Sequence, residues 1–213
     1  MSNKFIFTEI KDHDTAKIGD DWYKLDLING QILYKIQYNL MEENSDMELQ
    51  PAKYNKEQKY EIYGSPQKYY IIRKNNLAGV IDENSNIIIG FKYRYLFDFY
   101  FYKTKKIYLA AVDTKTNLHG VIDITDKIII PFMYDEIYIW NIDSENETLM
   151  VEKNKKCAII NIHNDIILDF KYKYIYGFGN KDHYSLAQID NGMWGLIDRK
   201  GKPKKLTIPK IKI

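Results

Sequence analysis

Apolar and polar positions along this chain fall into short blocks, and the blocks recur. Leu77-Ala78-Gly79-Val80-Ile81-Asp82, a polar turn, and Ile87-Ile88-Ile89-Gly90-Phe91-Lys92-Tyr93 form one unit. Leu118-His119-Gly120-Val121-Ile122-Asp123 with Ile128-Ile129-Ile130-Pro131-Phe132-Met133-Tyr134 aligns with it without a gap. So does Lys156-Cys157-Ala158-Ile159-Ile160-Asn161 with Ile166-Ile167-Leu168-Asp169-Phe170-Lys171-Tyr172. A fourth, truncated unit runs from Met193-Trp194-Gly195-Leu196-Ile197-Asp198 into Gly201-Lys202. The glycine column advances 41 residues from Gly79 to Gly120, 38 to Ala158 and 37 to Gly195.

Each block predicts a strand. The Val-Ile-Asp segments are short, β-branched and bounded by polar residues. The turns that follow (83–86, 124–127, 162–165 and 199–202) carry Asn, Asp or Gly, which tolerate the positive φ of tight hairpins. The isoleucine runs are the return strands. A third strand precedes the next glycine, as in Tyr69–Ile72, Tyr108–Val112, Thr148–Val151 and Tyr184–Ala187. A glycine inside a strand marks a bulge or a close approach; here a neighbouring repeat's aromatic ring is the expected approaching group, and Ala158 fits that steric account. Trp22-Tyr23-Lys24-Leu25-Asp26 starts a degenerate first unit, whose Tyr38 falls on the Tyr93 column after one inserted residue. The expected layout is one continuous domain: residues 1–66 with an insertion over 41–66, the repeats over 67–202, and a basic tail or capping strand over 203–213.

Composition supports an all-β reading. Ile (33), Lys (28), Tyr (19) and Asn (17) make up nearly half of the 213 residues, against only 7 Ala. Ile and Tyr suit a pleated surface, whereas Ala is the best helix former. The same bias resembles proteins of AT-rich bacterial genomes. One cysteine excludes an intramolecular disulfide framework and any multi-cysteine metal site. A net charge of +2 gives no strong field toward nucleic acid or membrane. Neither a signal-peptide core nor a run of ~20 apolar residues occurs. The expected location is the cytoplasm, although non-classical export leaves the same silence.

Trp194-Gly195-Leu196-Ile197-Asp198-Arg199-Lys200-Gly201-Lys202 resembles the opening of a WG-containing repeat, a bacterial β-repeat family. The unit at Gly120 follows that pattern through Pro131, Tyr134-Asp135 and Ile137. The resemblance covers about residues 68–202, with an extension back to Trp22. It departs where Ala78, His119 and Cys157 fill the Trp column, where Ala158 replaces Gly, and where the turn Gly appears only at Gly201. The resemblance implies a binding or scaffold module and brings no catalytic residues.

The fold class expected is therefore all-β: tandem antiparallel hairpin, three-strand repeats of about 40 residues in an open twisted array. The alternative is a small closed β-propeller, with segments such as Glu136–Trp140 as the fourth strand of each blade. A final strand over Leu206–Ile213 is expected to cap the array.

Candidate chemistry is thin. The Asp column (Asp26, Asp82, Asp123, Asn161, Asp198) reads either as a cation-binding ring or, preferably, as strand-end side chains bonding turn amides; Asn161 does the second job as well as Asp. His13, His119, His163 and His183 lack a metal-ligand spacing or a nucleophile context. His119 and Cys157 read as structural residues. Tyr93, Tyr134 and Tyr172 recur once per unit and read as core. Tyr95, Tyr138, Tyr174 and Tyr176 are less regular, read as more exposed, and are the interaction candidates. Residues 42–48 are acidic, and the stretch from Arg199 to Ile213 carries seven Lys/Arg and no Asp/Glu. Its Lys204, Lys205, Lys210 and Lys212 join the candidates, against their role as edge-strand protection. No catalytic, cofactor or metal site is expected. The leading function is a non-catalytic protein-interaction module or scaffold with another protein as partner, an immunity-type inhibitor or regulatory partner being one concrete form. The alternatives are a nucleic-acid-binding accessory protein using exposed Tyr and the basic tail, and an enzyme with an unrecognised carboxylate pair. Oligomeric state is open.

Overall fold

The structure, a computed structural model, describes residues 5–35, 59–62, 64–143, 146–178 and 182–206. All regular elements among them are strands. In chain order they are β1 (Phe5–Phe7), β2 (Glu9–Asp12), β3 (Thr15–Ile18), β4 (Asp21–Asp26) and β5 (Gln31–Lys35). Next come β6 (Tyr60–Glu61), β7 (Tyr69–Lys74), β8 (Leu77–Asp82), β9 (Ile87–Phe101), β10 (Lys106–Asp113), β11 (His119–Asp123) and β12 (Ile128–Tyr134). The last are β13 (Glu136–Asp143), β14 (Thr148–Lys153), β15 (Lys156–Asn161), β16 (Ile166–Tyr172), β17 (Tyr174–Ile175), β18 (Tyr184–Gln188) and β19 (Trp194–Asp198). The sheet orders are β2-β3-β4-β5, β6-β7-β8-β9-β10-β11-β12, β13-β14-β15-β16 and β1-β19-β18-β17. The all-β repeat expectation holds. The repeat is larger than three strands, because the segment after each periodic tyrosine pairs as a further strand. In the first repeat that strand and the return strand are one continuous β9, which makes a seven-stranded sheet.

The hairpin turn is the most uniform part. Asp82, Asp123 and Asp198 each accept the amides two and four residues on through Oδ1, at 2.8–3.1 Å, and Asn161 does the same at 2.9 Å. Asp26 accepts from the amides of Ile28 and Asn29. The column is a turn device, as preferred. Three residues after each cap, Ser85, Asp126, Asn164 and Gly201 adopt φ of 65–72°. That geometry is a type I turn closed by a left-handed residue and a bulge. The bulge explains why the isoleucine runs are not buried throughout. Ile87, Ile128 and Ile166 are exposed, whereas Ile89, Ile130 and Leu168 are buried.

The strand glycines are crowded from within their own hairpins. A Cβ on Gly79 or Gly120 meets the carbonyl oxygen of Ile89 (2.7 Å) or Ile130 (2.8 Å) and the ring of Phe91 or Phe132, at 3.0 Å in each case. The crowding group is the return strand of the same hairpin, not a neighbouring repeat's ring.

The chain divides into two compact units. One comprises Met1–Asp46, Lys155–Ile159 and Ile166–Ile213; the other comprises Met47–Asn154 and Ile160–Asp165. In the first, Phe7, Ala16, Tyr23, Leu25, Ile32, Leu186 and Leu196 form a buried cluster. There the chain's first strand completes its last sheet, with Phe5 opposite Gly195 and Phe7 opposite Trp194. Pro203 forms a bridge to Ile197 and Leu206 is buried. The rest of the expected capping strand, 207–213, lies outside the described residues, as do Tyr38 and the acidic 42–48. In the second unit the cluster is built on Ile71, Val80, Ile89, Tyr93, Leu96, Leu109 and Ile122.

The periodic tyrosines are buried, at 6, 2 and 4% exposure for Tyr93, Tyr134 and Tyr172. Each hydroxyl donates to the left-handed turn residue one repeat on: Tyr93 to Asp126 Oδ1 (2.7 Å), Tyr134 to Asn164 Oδ1 (2.6 Å) and Tyr172 to the Gly201 carbonyl (2.8 Å). One column therefore fills the core and fastens each repeat to the next hairpin.

Candidate functional site

The residues that follow the periodic tyrosine line two grooves at equivalent places, one in each unit. Arg94-Tyr95-Leu96-Phe97 and Lys173-Tyr174-Ile175-Tyr176 occupy the same columns: a cation, an aromatic ring, a buried aliphatic residue and a second ring. Strand alternation sends Leu96 and Ile175 into the core and turns the two rings out.

In the second unit the groove has a volume of about 350 Å³. Its floor is a cross-strand row, Tyr95 opposite Val112 and Val112 opposite His119. Tyr95 and Phe97 stack at 6.1 Å, and the Arg73 guanidinium lies 4.6 Å over the Tyr95 ring. Arg94 donates to the Asn117 side-chain oxygen. Glu136, at the start of β13, places Oε1 3.3 Å from His119 Nδ1. Burial holds the imidazole of His119 below its usual pKa, against the pull of Asp135. Burial also lifts the Glu136 carboxyl above the usual range, aided by Glu152 and opposed by a backbone N–H. Both shifts favour the uncharged forms of the two groups.

In the first unit the groove has a volume of about 440 Å³. The same row recurs: Tyr174 is opposite Gln188, and Gln188 is opposite Trp194. Tyr174 meets Trp194 at 5.8 Å and 66°, and Tyr176 at 6.3 Å and 77°, so the rings form corners rather than a stack. Ile10 and Lys11 of β2 stand where Glu136 stands in the other groove, and Lys173 replaces Arg94. Trp194 replaces His119. The chemistry thus changes from mixed charge with a histidine to aromatic with two cations on one repeated scaffold.

The expected site residues divide accordingly. Tyr95, Tyr174 and Tyr176 line the grooves; all are half-buried rather than freely exposed. Tyr138 is half-buried as well, but its hydroxyl donates to Glu152 Oε2 at 2.5 Å and it lines neither groove. Lys204 donates to the Tyr184 hydroxyl at 3.2 Å and lies 4.9 Å over its ring. Lys205 is exposed beside it, along a separate depression with Asp198 and Lys202. Lys210 and Lys212 lie outside the described residues. His119, read as structural, lines a groove. Cys157 is fully buried, its thiol 3.5 Å from the Lys173 carbonyl, as a structural cysteine should be. Asp12, His13 and Asp14 bring their ligand atoms within 4.8 Å of one another, but Asp12 accepts the Asp14 amide and the Lys24 ammonium sits 2.6 Å from Asp14.

Sequence reasoning missed Arg94, Phe97, Lys173, Gln188 and Lys11. A signal was present for the first three, which stand one or four residues after a periodic tyrosine. The middle repeat hid it, because Asp135 and Glu136 occupy the cation and ring columns there.

Comparison with known families agrees with the repeat. The model of the WG containing repeat matches residues 120–157 and 159–192, two adjacent copies. No curated protein matches the chain.

Proposed function

We propose, from the premise that this chain carries tandem WG containing repeats, that it is a non-catalytic protein-interaction module. Its repeat-equivalent grooves would hold side chains of a protein partner, with an immunity-type or regulatory role as the concrete form. The observation that carries this reading is the pair of grooves built from the same columns, each with half-buried aromatic rings beside charged groups. Half-buried rings give large contact area at low entropic cost, and such residues dominate binding energy at interfaces. The grooves share a scaffold and differ in chemistry, so each selects its own partner side chains. Balanced net charge favours a protein over a polyanion.

The test is affinity capture from native lysate with the wild-type chain, Tyr95→Ala and Tyr174→Ala side by side. A stoichiometric protein held by the wild type and lost or weakened in at least one variant is expected. A partner set indifferent to both substitutions refutes the assignment to these grooves.

A further inference from the structure

We infer that the groove of the first unit receives an acidic peptide segment carrying an aromatic side chain, the aromatic ring seated against Trp194 and Tyr174 and its flanking carboxylates facing Lys11 and Lys173. The inference rests on the protein-interaction reading above and names the chemistry of the partner.

Three observations carry it. First, the rings leave a corner. Tyr174 stands edge-on to both Trp194 and Tyr176, and all three rings are half-buried. Trp194, half-buried in the groove wall, offers its indole surface to an incoming ring in the edge-to-face or offset geometry that aromatic pairs prefer. Second, the rim is cationic. Lys11 and Lys173 are exposed and line this groove, and among the described residues no acid lines it and neither ammonium has an ion-pair partner. Elsewhere Lys17, Lys24, Lys35, Lys92 and Lys156 each meet a carboxylate. The nearby Asp12 accepts the Asp14 amide in its own hairpin and does not line the groove, although its charge reaches Tyr176. Third, the volume of about 440 Å³ falls within the ~300–1,000 Å³ of sites for small ligand groups, enough for one aromatic side chain and its neighbours.

A single-stranded nucleic acid offers rings and anions too, but it is disfavoured. Such a strand needs a continuous cationic track for its phosphates. Here the following columns supply Asp135 and Glu136 in one repeat, and Glu136 again lines the other groove.

The experiment is a fluorescence-anisotropy titration of the full chain with three labelled probes: the peptide Glu-Asp-Phe-Asp-Glu, its counterpart Lys-Lys-Phe-Lys-Lys, and an oligothymidylate of similar length. The acidic peptide is expected to bind and the basic one not to. The double substitution Lys11→Glu, Lys173→Glu is expected to weaken the acidic peptide about tenfold, since two rim attractions become repulsions. Both positions are exposed, so its urea midpoint stays that of the wild type. Trp194→Phe keeps the core and lowers affinity by shrinking the ring surface, and Tyr95→Ala, in the other groove, leaves it unchanged. Equal or tighter binding of the oligothymidylate overturns the inference. So does indifference to peptide charge, indifference to the double substitution, or no peptide binding at millimolar concentration. A captured protein lost on Tyr174→Ala yet insensitive to the lysine reversals would sink this inference while leaving the interaction reading standing.

Discussion

Removing a single oxygen from each periodic tyrosine tests how the repeats are joined. Tyr93→Phe, Tyr134→Phe and Tyr172→Phe keep the ring, so the buried packing is preserved and only the bond to the next hairpin is lost. The acceptors differ. Tyr93 donates to the carboxylate of Asp126, which also holds the Lys92 ammonium. Tyr134 and Tyr172 donate to a neutral amide and a backbone carbonyl. Hydrogen bonds to charged groups contribute ~1.5–3 kcal/mol and neutral ones ~0.5–1.5 kcal/mol. The Asp126 side chain is 24% exposed, so water recovers part of its loss. That places Tyr93→Phe at about 1.5–2 kcal/mol and the other two at about 1 kcal/mol each. The assay is urea unfolding followed by circular dichroism, comparing midpoints at constant slope. Tyr102, 74% exposed, supplies the control, and Tyr102→Phe should leave the midpoint in place. A Tyr93→Phe variant no less stable than Tyr134→Phe, or all three within about 0.3 kcal/mol of wild type, refutes the account of an inter-repeat clasp.

Gly120→Ala should cost about 1–3 kcal/mol, because its Cβ meets the Ile130 carbonyl and the Phe132 ring and the return strand must shift, as it does around Ala158 in the native third repeat; Gly90→Ala, with open space around it, should not. Thermal unfolding of the two variants decides the point, and equal melting temperatures would refute it. Asp123→Ala should lose about 1 kcal/mol through its two turn amides and the Thr125 hydroxyl, and Asn161→Asp about 1 kcal/mol in the same urea assay, because it keeps the turn acceptor but replaces the amide that donates to Asp165 Oδ2 with a second carboxylate. Burial, joined by neighbouring carboxylates at Tyr93 and Tyr172, raises the phenol pKa of Tyr93, Tyr134 and Tyr172 above the usual 10.0. The folded chain therefore binds those protons more tightly than the unfolded chain. The stabilisation is present in full below pH 10 and is lost as pH climbs through the raised values. Unfolding midpoints at pH 8 to 12 should fall above 10, and less steeply in the triple Phe variant.

The period, the hairpin and the chemistry of its turn were legible in the residues alone. These are local matters. Asp123 bonds amides two and four residues away, and Asp126 sits at positive φ three residues on, so a short window of residues holds the whole device. The burial of Tyr93, Tyr134 and Tyr172 was legible for a related reason, since a position that recurs once per copy must serve something every copy needs. Contacts across longer stretches of chain were decided only in three dimensions. Gly79 and Gly120 are crowded by their own return strands because a bulge shifts the register, and no residue count shows which atoms a bulge brings together. The tyrosine hydroxyls find partners about thirty residues away, as Tyr134 finds Asn164. Sequence supplied Tyr95, Tyr174 and Tyr176 but neither Phe97 nor the rest of their company. His119 meets Glu136, and Trp194 shares a groove with Lys11 from the opposite end of the chain, because strand pairing brings distant segments together with no local trace. Propensity and turn chemistry act over a few residues, whereas a site is made by whichever surfaces the packed sheets leave side by side.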